Sequence, residues 1–135
     1  MRVMGLDVGE NTIGVAVSDP LGITAQGVTV IRRRGIKSDL AEIGKLAREY
    51  EVSKFVVGMP RRTDGSFGPE AEKVRAFGRK LEGELRLPVE YWDERFSTAA
   101  AERILLEGDV SRARRKQVID KLAAVVILQA YLDGQ

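Results

Sequence analysis

The chain contains no histidine and no cysteine. These absences remove the imidazole base, the thiolate nucleophile and the soft metal ligands. They also exclude a disulfide framework, which agrees with a reducing compartment. No apolar run approaches the length of a membrane span. The opening Arg2-Val3-Met4-Gly5-Leu6-Asp7 has no signal-peptide pattern, so a cytoplasmic location is expected, with no membrane partner. There is no internal repeat, low-complexity segment or linker. A net charge of only +2 makes a weak global argument for a polyanionic partner. Any chemistry must come from carboxylates, hydroxyls, lysines or a hard metal ion held by oxygen.

What remains is a foldable chain. Its 135 residues, 44% of them hydrophobic, fit a single domain over 1–135 with a genuine core. The pattern predicts strands over 2–8, 12–18 and 27–32, joined by turns at Gly9-Glu10-Asn11 and Asp19-Pro20-Leu21-Gly22. Ser38 or Asp39 is expected to cap a helix with Leu40, Ile43, Leu46 and Ala47 on its apolar face. The apolar-centred run 54–57 reads as a strand buried on both faces. Gly68-Pro69-Glu70 opens a second helix through Val74, Phe77 and Leu81. Strand five is expected over 87–92, and Ser97 or Thr98 caps a helix ending near Gly108. A basic loop over 108–116 precedes a largely buried last helix over 117–132. A three-stranded antiparallel meander followed by alternating helices and strands gives an α/β fold. Its sheet is mixed and five-stranded, with helices on both faces.

Asp7 stands out because it lies inside an apolar strand, where a lone charge is costly. Gly5, Gly9 and Gly14 leave room around it for a ligand or backbone to approach. Asp93 and Glu94 end strand five, and Asp120 lies early in a helix too apolar for the surface. Each has a plainer explanation: a buried arginine partner for Asp7, a solvated strand end for Asp93 or Glu94, a favourable helix dipole for Asp120. Taken together they suggest phosphodiester hydrolysis. Two hard divalent ions about 4 Å apart, held by carboxylates, activate water and neutralise the phosphate. Basic residues cluster at Arg32-Arg33-Arg34 with Lys37, at Arg61-Arg62, and at Arg112, Arg114, Arg115 and Lys116. Singly these read as solvated element ends. Converging on one site they would form a phosphate-binding rim.

The stretches Gly5-Leu6-Asp7-Val8-Gly9, Gly14-Val15-Ala16-Val17-Ser18-Asp19, Val57-Gly58-Met59-Pro60, Asp93-Glu94-Arg95-Phe96-Ser97-Thr98 and Asp120 with Ala123-Ala124 resemble the YqgF/RuvX family. They span nearly the whole chain in the same order. The resemblance implies a ribonuclease H-like fold related to the RuvC resolvases, and a nuclease using Mg2+ or Mn2+. Its implied catalytic and metal-holding triad is Asp7, Glu94 and Asp120, with Glu94 preferred to its neighbour Asp93. Arg61, Arg62 and Arg95 would lie beside the site, with Arg112, Arg114, Arg115 and Lys116 as further phosphate contacts. The expected partner is nucleic acid, either a structured RNA precursor or branched DNA, met by a monomer or homodimer. The expected role is 5′-end processing of pre-16S ribosomal RNA, with Holliday junction resolution as the alternative. Two other classes compete: a non-catalytic RNA-binding module, and an actin-like nucleotide-binding protein suggested by the glycine-rich hairpin around Asp7.

Overall fold

The computed structural model describes residues 2–60, 66–93 and 112–135, with positions 112–120 described by their backbone. Among the described residues, five strands and three helices follow in the order β1 (Arg2–Val8), β2 (Thr12–Ser18), β3 (Ala25–Arg32), α1 (Ile36–Glu49), β4 (Val52–Met59), α2 (Pro69–Leu85), β5 (Val89–Asp93) and α3 (Arg112–Asp133). The strands form one sheet in the order β3-β2-β1-β4-β5. The first three pair antiparallel, as tight turns between them require. β4 pairs parallel with β1, and β5 parallel with β4, each reached through a helix. This is the expected mixed sheet with its opening meander.

Alternation along β1 sorts the two faces. Met4 and Leu6 enter the core packed under α1 and α2, with Ile13, Val15, Phe55, Val57, Ile43, Phe77 and Leu81. Val3 enters the opposite core, with Ala16, Val56, Ala124, Ile127, Leu128 and Tyr131. Helices therefore cover both faces. Phe55, Val56 and Val57 are fully buried, as the unbroken apolar run predicts for a strand covered on both sides.

α3 crosses its face of the sheet obliquely. The Lys121 stem lies over Gly27 of β3, Ala124 and Leu128 lie over Gly5 of β1, and Tyr131 and Gly134 approach Lys54 and Trp92 on β4 and β5. Gly5 permits this closeness. A Cβ there would sit 2.7 Å from Leu128 Cβ and 3.2 Å from the Ala124 carbonyl oxygen. Gln129 fastens the same helix to the entry of β3. Its Oε1 accepts the Ala25 N–H, and its Nε2 donates to the Ile23 carbonyl, both at 2.9 Å. That bond helps start β3 at Ala25, two residues before the predicted start.

Two boundary expectations are corrected. α1 is not capped by Ser38 or Asp39. Its N-cap is Gly35, at φ 141°, which a residue with a Cβ rarely adopts. Asp39 is instead one turn inside, its N–H donating to the Gly35 carbonyl at 2.9 Å. The basic run also does not remain a loop through Lys116, because α3 begins at Arg112. The helix expected between Ser97 and Gly108 lies outside the described residues.

Candidate active site

β1, β4 and β5 run parallel, so their carboxyl ends reach the same edge of the sheet, where open α/β sheets bind ligands. Asp7 lies at that edge, paired across the ladder with Gly14. β1 alternates regularly from Val3 onward, so Asp7 shares the α3 face with Val3 and Gly5. Leu6 pairs with Val57, and Gly58 pairs with Trp92, which puts Trp92 level with Asp7 two strands away. Strand spacing makes that separation about 10 Å.

The faces of β5 bear on the choice between Asp93 and Glu94. Tyr91 turns to α2, where its ring fills the space above Gly78 and its hydroxyl donates to the Arg75 carbonyl at 3.3 Å. Trp92 turns to α3 and meets Tyr131 edge-on, with ring centroids 5.6 Å apart. Asp93 has the parity of Tyr91, so strand alternation sends it to the face opposite Asp7.

On α3, position 120 lies one turn before Ala124, which packs with Leu128 and Tyr131 into the core on this face. Ala124 packs over Gly5, and Asp7 is two residues beyond Gly5. Position 120 therefore belongs to the helix that covers the face Asp7 shares, one turn from the residue packed over Gly5. Glu94, Arg61, Arg62 and Arg95 lie outside the described residues. Arg112, Arg114, Arg115 and Lys116 occupy the opening turns of α3. Among the described residues, no three Asp or Glu side chains come together as a metal site.

A cleft of about 680 Å³ opens at the same edge, lined by Asp7, Glu10, Arg33, Asp39, Pro60 and Lys73 among others. That volume lies within the usual range for ligand sites. Lys73 and Glu10 approach to 3.9 Å across its mouth, an exposed pair of little energetic weight. Its inner wall is a polar assembly that the sequence pattern does not announce. Asp39 is only 1% exposed and pairs with Arg33 Nε at 3.0 Å. The Arg34 backbone N–H donates to its other oxygen at 3.1 Å. Arg33 Nη1 donates to the Gly9 carbonyl at 2.9 Å, and its guanidinium lies 5.3 Å from the Phe77 ring centroid. Arg33 is therefore neither a solvated loop end nor a rim cation. The one signal in the sequence is Asp39 itself, an acid one position before the apolar Leu40.

A second assembly, equally hidden in the sequence, locks the far end of α3. Lys54 Nζ donates to Tyr131 Oη at 2.5 Å and pairs with Glu90 at 2.8 Å. The hydrogen bond to Glu90, followed by the one to Tyr131, raises the Lys54 pKa above its ordinary value. The bond from Lys54 holds the Glu90 carboxyl below its own.

The RuvX family, described as Holliday junction resolvase, matches residues 1–134. The chain belongs to the RuvX family. It is a hydrolytic nuclease by that membership. A relative from Symbiobacterium thermophilum, named "Putative pre-16S rRNA nuclease", is 63% identical over all of this chain and 94% of its own. One from Moorella thermoacetica bears the same name and is 62% identical over 98% of this chain and 95% of its own. Among solved structures, Thermus thermophilus RuvC in complex with a Holliday junction substrate superposes with a TM-score of 0.60 at 14% identity, over 99% of this chain and 95% of that one. The fowlpox virus resolvase with junction DNA gives 0.62 at 10% identity, over 99% and 98%. These likenesses establish the ribonuclease H-like fold.

Among the described residues, no helix is long and apolar enough to cross a membrane.

Proposed function

We propose that the chain cleaves the 5′ region of precursor 16S ribosomal RNA, using Mg2+ or Mn2+ held by Asp7, Glu94 and Asp120. The supporting observation is the placement of Asp7 at the carboxyl edge of the sheet, on the face that α3 covers. Position 120 lies one turn from the residue packed over Gly5. The donor chemistry fits the ion. Three carboxylates in a chain without histidine or cysteine suit a hard, oxygen-seeking cation. When bound, such ions supply an activated water and neutralise the phosphate charge.

The chain's own residues do the rest. Asp7 is fixed by its ladder pairing with Gly14 and contributes oxygen donors from a rigid strand. Glu94 follows Asp93, and continued strand alternation would turn it to the same face as Trp92 and Asp7. Asp120 completes the set from α3. Arg61, Arg62, Arg95 and the cations opening α3 hold the nucleic-acid backbone, which positions the substrate without reading its sequence. This reading treats 1–135 as one cytoplasmic nuclease unit.

The family's description favours a second substrate, the four-way DNA junction. One experiment separates the two. Purified protein is incubated with Mg2+ or Mn2+ and labelled precursor RNA, or labelled junction DNA, beside Asp7→Asn. The proposal expects RNA cleavage that Asp7→Asn abolishes. Cleavage of the junction alone transfers the function to resolution. Wild-type-like cleavage by folded Asp7→Asn defeats the mechanism.

A further inference from the structure

We infer that Arg33, oriented by the buried carboxylate of Asp39, is a positioning residue for Asp7. The inference rests on the reading of Asp7 as a metal-holding residue. Asp7 is followed by a tight turn in which the Gly9 N–H donates to the Thr12 carbonyl at 2.9 Å. Arg33 grips both sides of this turn. Its backbone N–H donates to the Asn11 carbonyl at 2.9 Å, and its Nη1 donates to the Gly9 carbonyl at 2.9 Å. The guanidinium is fixed from behind by Asp39 at 3.0 Å and lies against the Phe77 ring. One side chain thus joins the β1–β2 turn to α1 and α2.

The geometry goes beyond charge neutralisation. Salt-bridging Asp39 would require only the Nε edge of the guanidinium. The additional bond to Gly9 carries that rigidity to a carbonyl two residues from Asp7, on the wall of the same cleft. A planar guanidinium presents donors on separate edges in fixed relation, which a lysine ammonium on a flexible stem cannot reproduce. Asp39 is itself held, because the Arg34 N–H occupies its other oxygen. The chain Arg34 N–H, Asp39, Arg33, Gly9 therefore runs from the start of α1 to the end of β1. It anchors the turn that follows β1, two residues beyond Asp7.

Arg33→Lys in the full chain tests this. It keeps a cation beside Asp39 and withdraws the fork from Gly9. Four readouts are taken: the thermal midpoint, the Asp7 side-chain carboxyl 13C resonance without metal (assigned with Asp7→Asn), calorimetric Mn2+ affinity, and kcat with KM on the substrate that wild type cleaves. The expected protein melts near wild type, with a moved or broadened Asp7 resonance and weakened Mn2+ binding. Its kcat falls roughly 10- to 100-fold at unchanged KM, the scale of a misplacement near 1 Å. A folded Arg33→Lys with wild-type resonance, Mn2+ affinity and kcat overturns the inference. Should Arg33→Lys fail to fold, Asp39→Asn is read by the same measures, since its amide oxygen can still accept from Arg34. Wild type that neither binds Mn2+ nor cleaves refutes the proposed function. The Asp7 resonance then decides the positioning inference alone, a moved signal supporting it and an unmoved one overturning it.

Discussion

Gly5→Ala should damage both stability and cleavage, and the structure sets the size of each effect. The new Cβ would lie 2.7 Å from Leu128 Cβ and 3.2 Å from the Ala124 carbonyl oxygen. Carbon atoms pack best at about 3.5–4.0 Å, so roughly 1 Å must be found. Neither obstructing atom is the free end of a flexible side chain, so α3 itself has to move. Overpacking of this kind costs about 1–3 kcal/mol. Replacing glycine by alanine returns about 0.4–1 kcal/mol by restricting the unfolded chain. The net loss is between about 0 and 2.6 kcal/mol, or up to roughly 10 °C in Tm for a chain of this size. Cleavage should suffer more. If Asp7 and Asp120 share a metal as proposed, shifting α3 at Ala124 displaces position 120 relative to Asp7, and a misplacement of about 1 Å at a reacting centre can cost 10²-fold. Gly27→Ala is the matched control. There the Cβ meets Lys121, at 2.6 Å from Cε and 3.0 Å from Cγ, and that exposed stem can swing aside. Calorimetry and the cleavage assay on both variants decide the matter. If Gly5→Ala behaves like Gly27→Ala in Tm and in rate, α3 does not set the spacing of the site.

Asp7→Asn should abolish cleavage yet be at least as stable as wild type in metal-free buffer, because one fewer carboxylate reduces like-charge repulsion at the site; a clear drop in its melting temperature would contradict that account. Converting Arg112, Arg114 and Arg115 together to Gln should weaken binding across unrelated nucleic-acid sequences. It should also flatten the plot of log affinity against log salt by about 0.7 to 0.9 for each phosphate that is no longer neutralised; an unchanged slope would assign those cations to solvent. Glu90→Gln should flatten the acid limb of the stability profile. The Glu90 carboxyl is held below its ordinary value by Lys54, so the pair's stabilisation is present above the unfolded pKa, about 4.3, and is lost as pH falls through the lower folded value. The raised Lys54 pKa preserves the pair on the alkaline side until pH rises through that raised value. Glu90 is half exposed, so the effect should stay below about 1 kcal/mol, measurable as urea midpoints at pH 7 and pH 3; parallel profiles for variant and wild type would count against it.

The sheet was legible because its signals are local. Alternation over β1 and β2, the turn residues between them and the apolar run of β4 each specify one structure. Asp7 was legible for the same reason, as a charge interrupting an apolar strand. Helix starts were less so. Ser38 and Asp39 carry good capping side chains, yet the chain turns earlier, at Gly35, because its unusual φ suits glycine and because Asp39 is drawn inward by Arg33. That pairing spans only six residues, but nothing in the periodicity distinguishes a buried acid from a capping one. The Lys54–Glu90–Tyr131 assembly was out of reach altogether. Tyr131 lies 77 residues from Lys54 along the chain, and only the register of β4 with β5 and the path of α3 bring the three together. Tyr91 and Trp92 lie on opposite faces of β5, which gives Asp93 the parity of Tyr91; Glu94 lies outside the described residues.

The two ends of α3 divide stability and chemistry between them. Its last three turns carry Ala124, Ile127, Leu128 and Tyr131 into a core; Gln129 ties them to the entry of β3, and Lys54 and Trp92 hold them from the sheet. Its first turns carry Arg112, Arg114, Arg115 and Lys116, with no acidic residue in the first turn. Cations there oppose the helix dipole, by about 0.3–1 kcal/mol each when close to the end. The helix dipole is not stabilised by that choice of residues, whereas a polyanion bound at the same end would reverse the sign of the charge there. Asp120 stands between the two regimes, after the cations and one turn before the first anchored alanine. In the proposed function, a helix pinned at its far end and charged at its near end would hold the Asp120 carboxylate for the metal while its opening turns meet phosphate. The same division explains why Gly5 should matter to cleavage without touching the substrate. It sits where the anchored half of α3 meets the strand that carries Asp7.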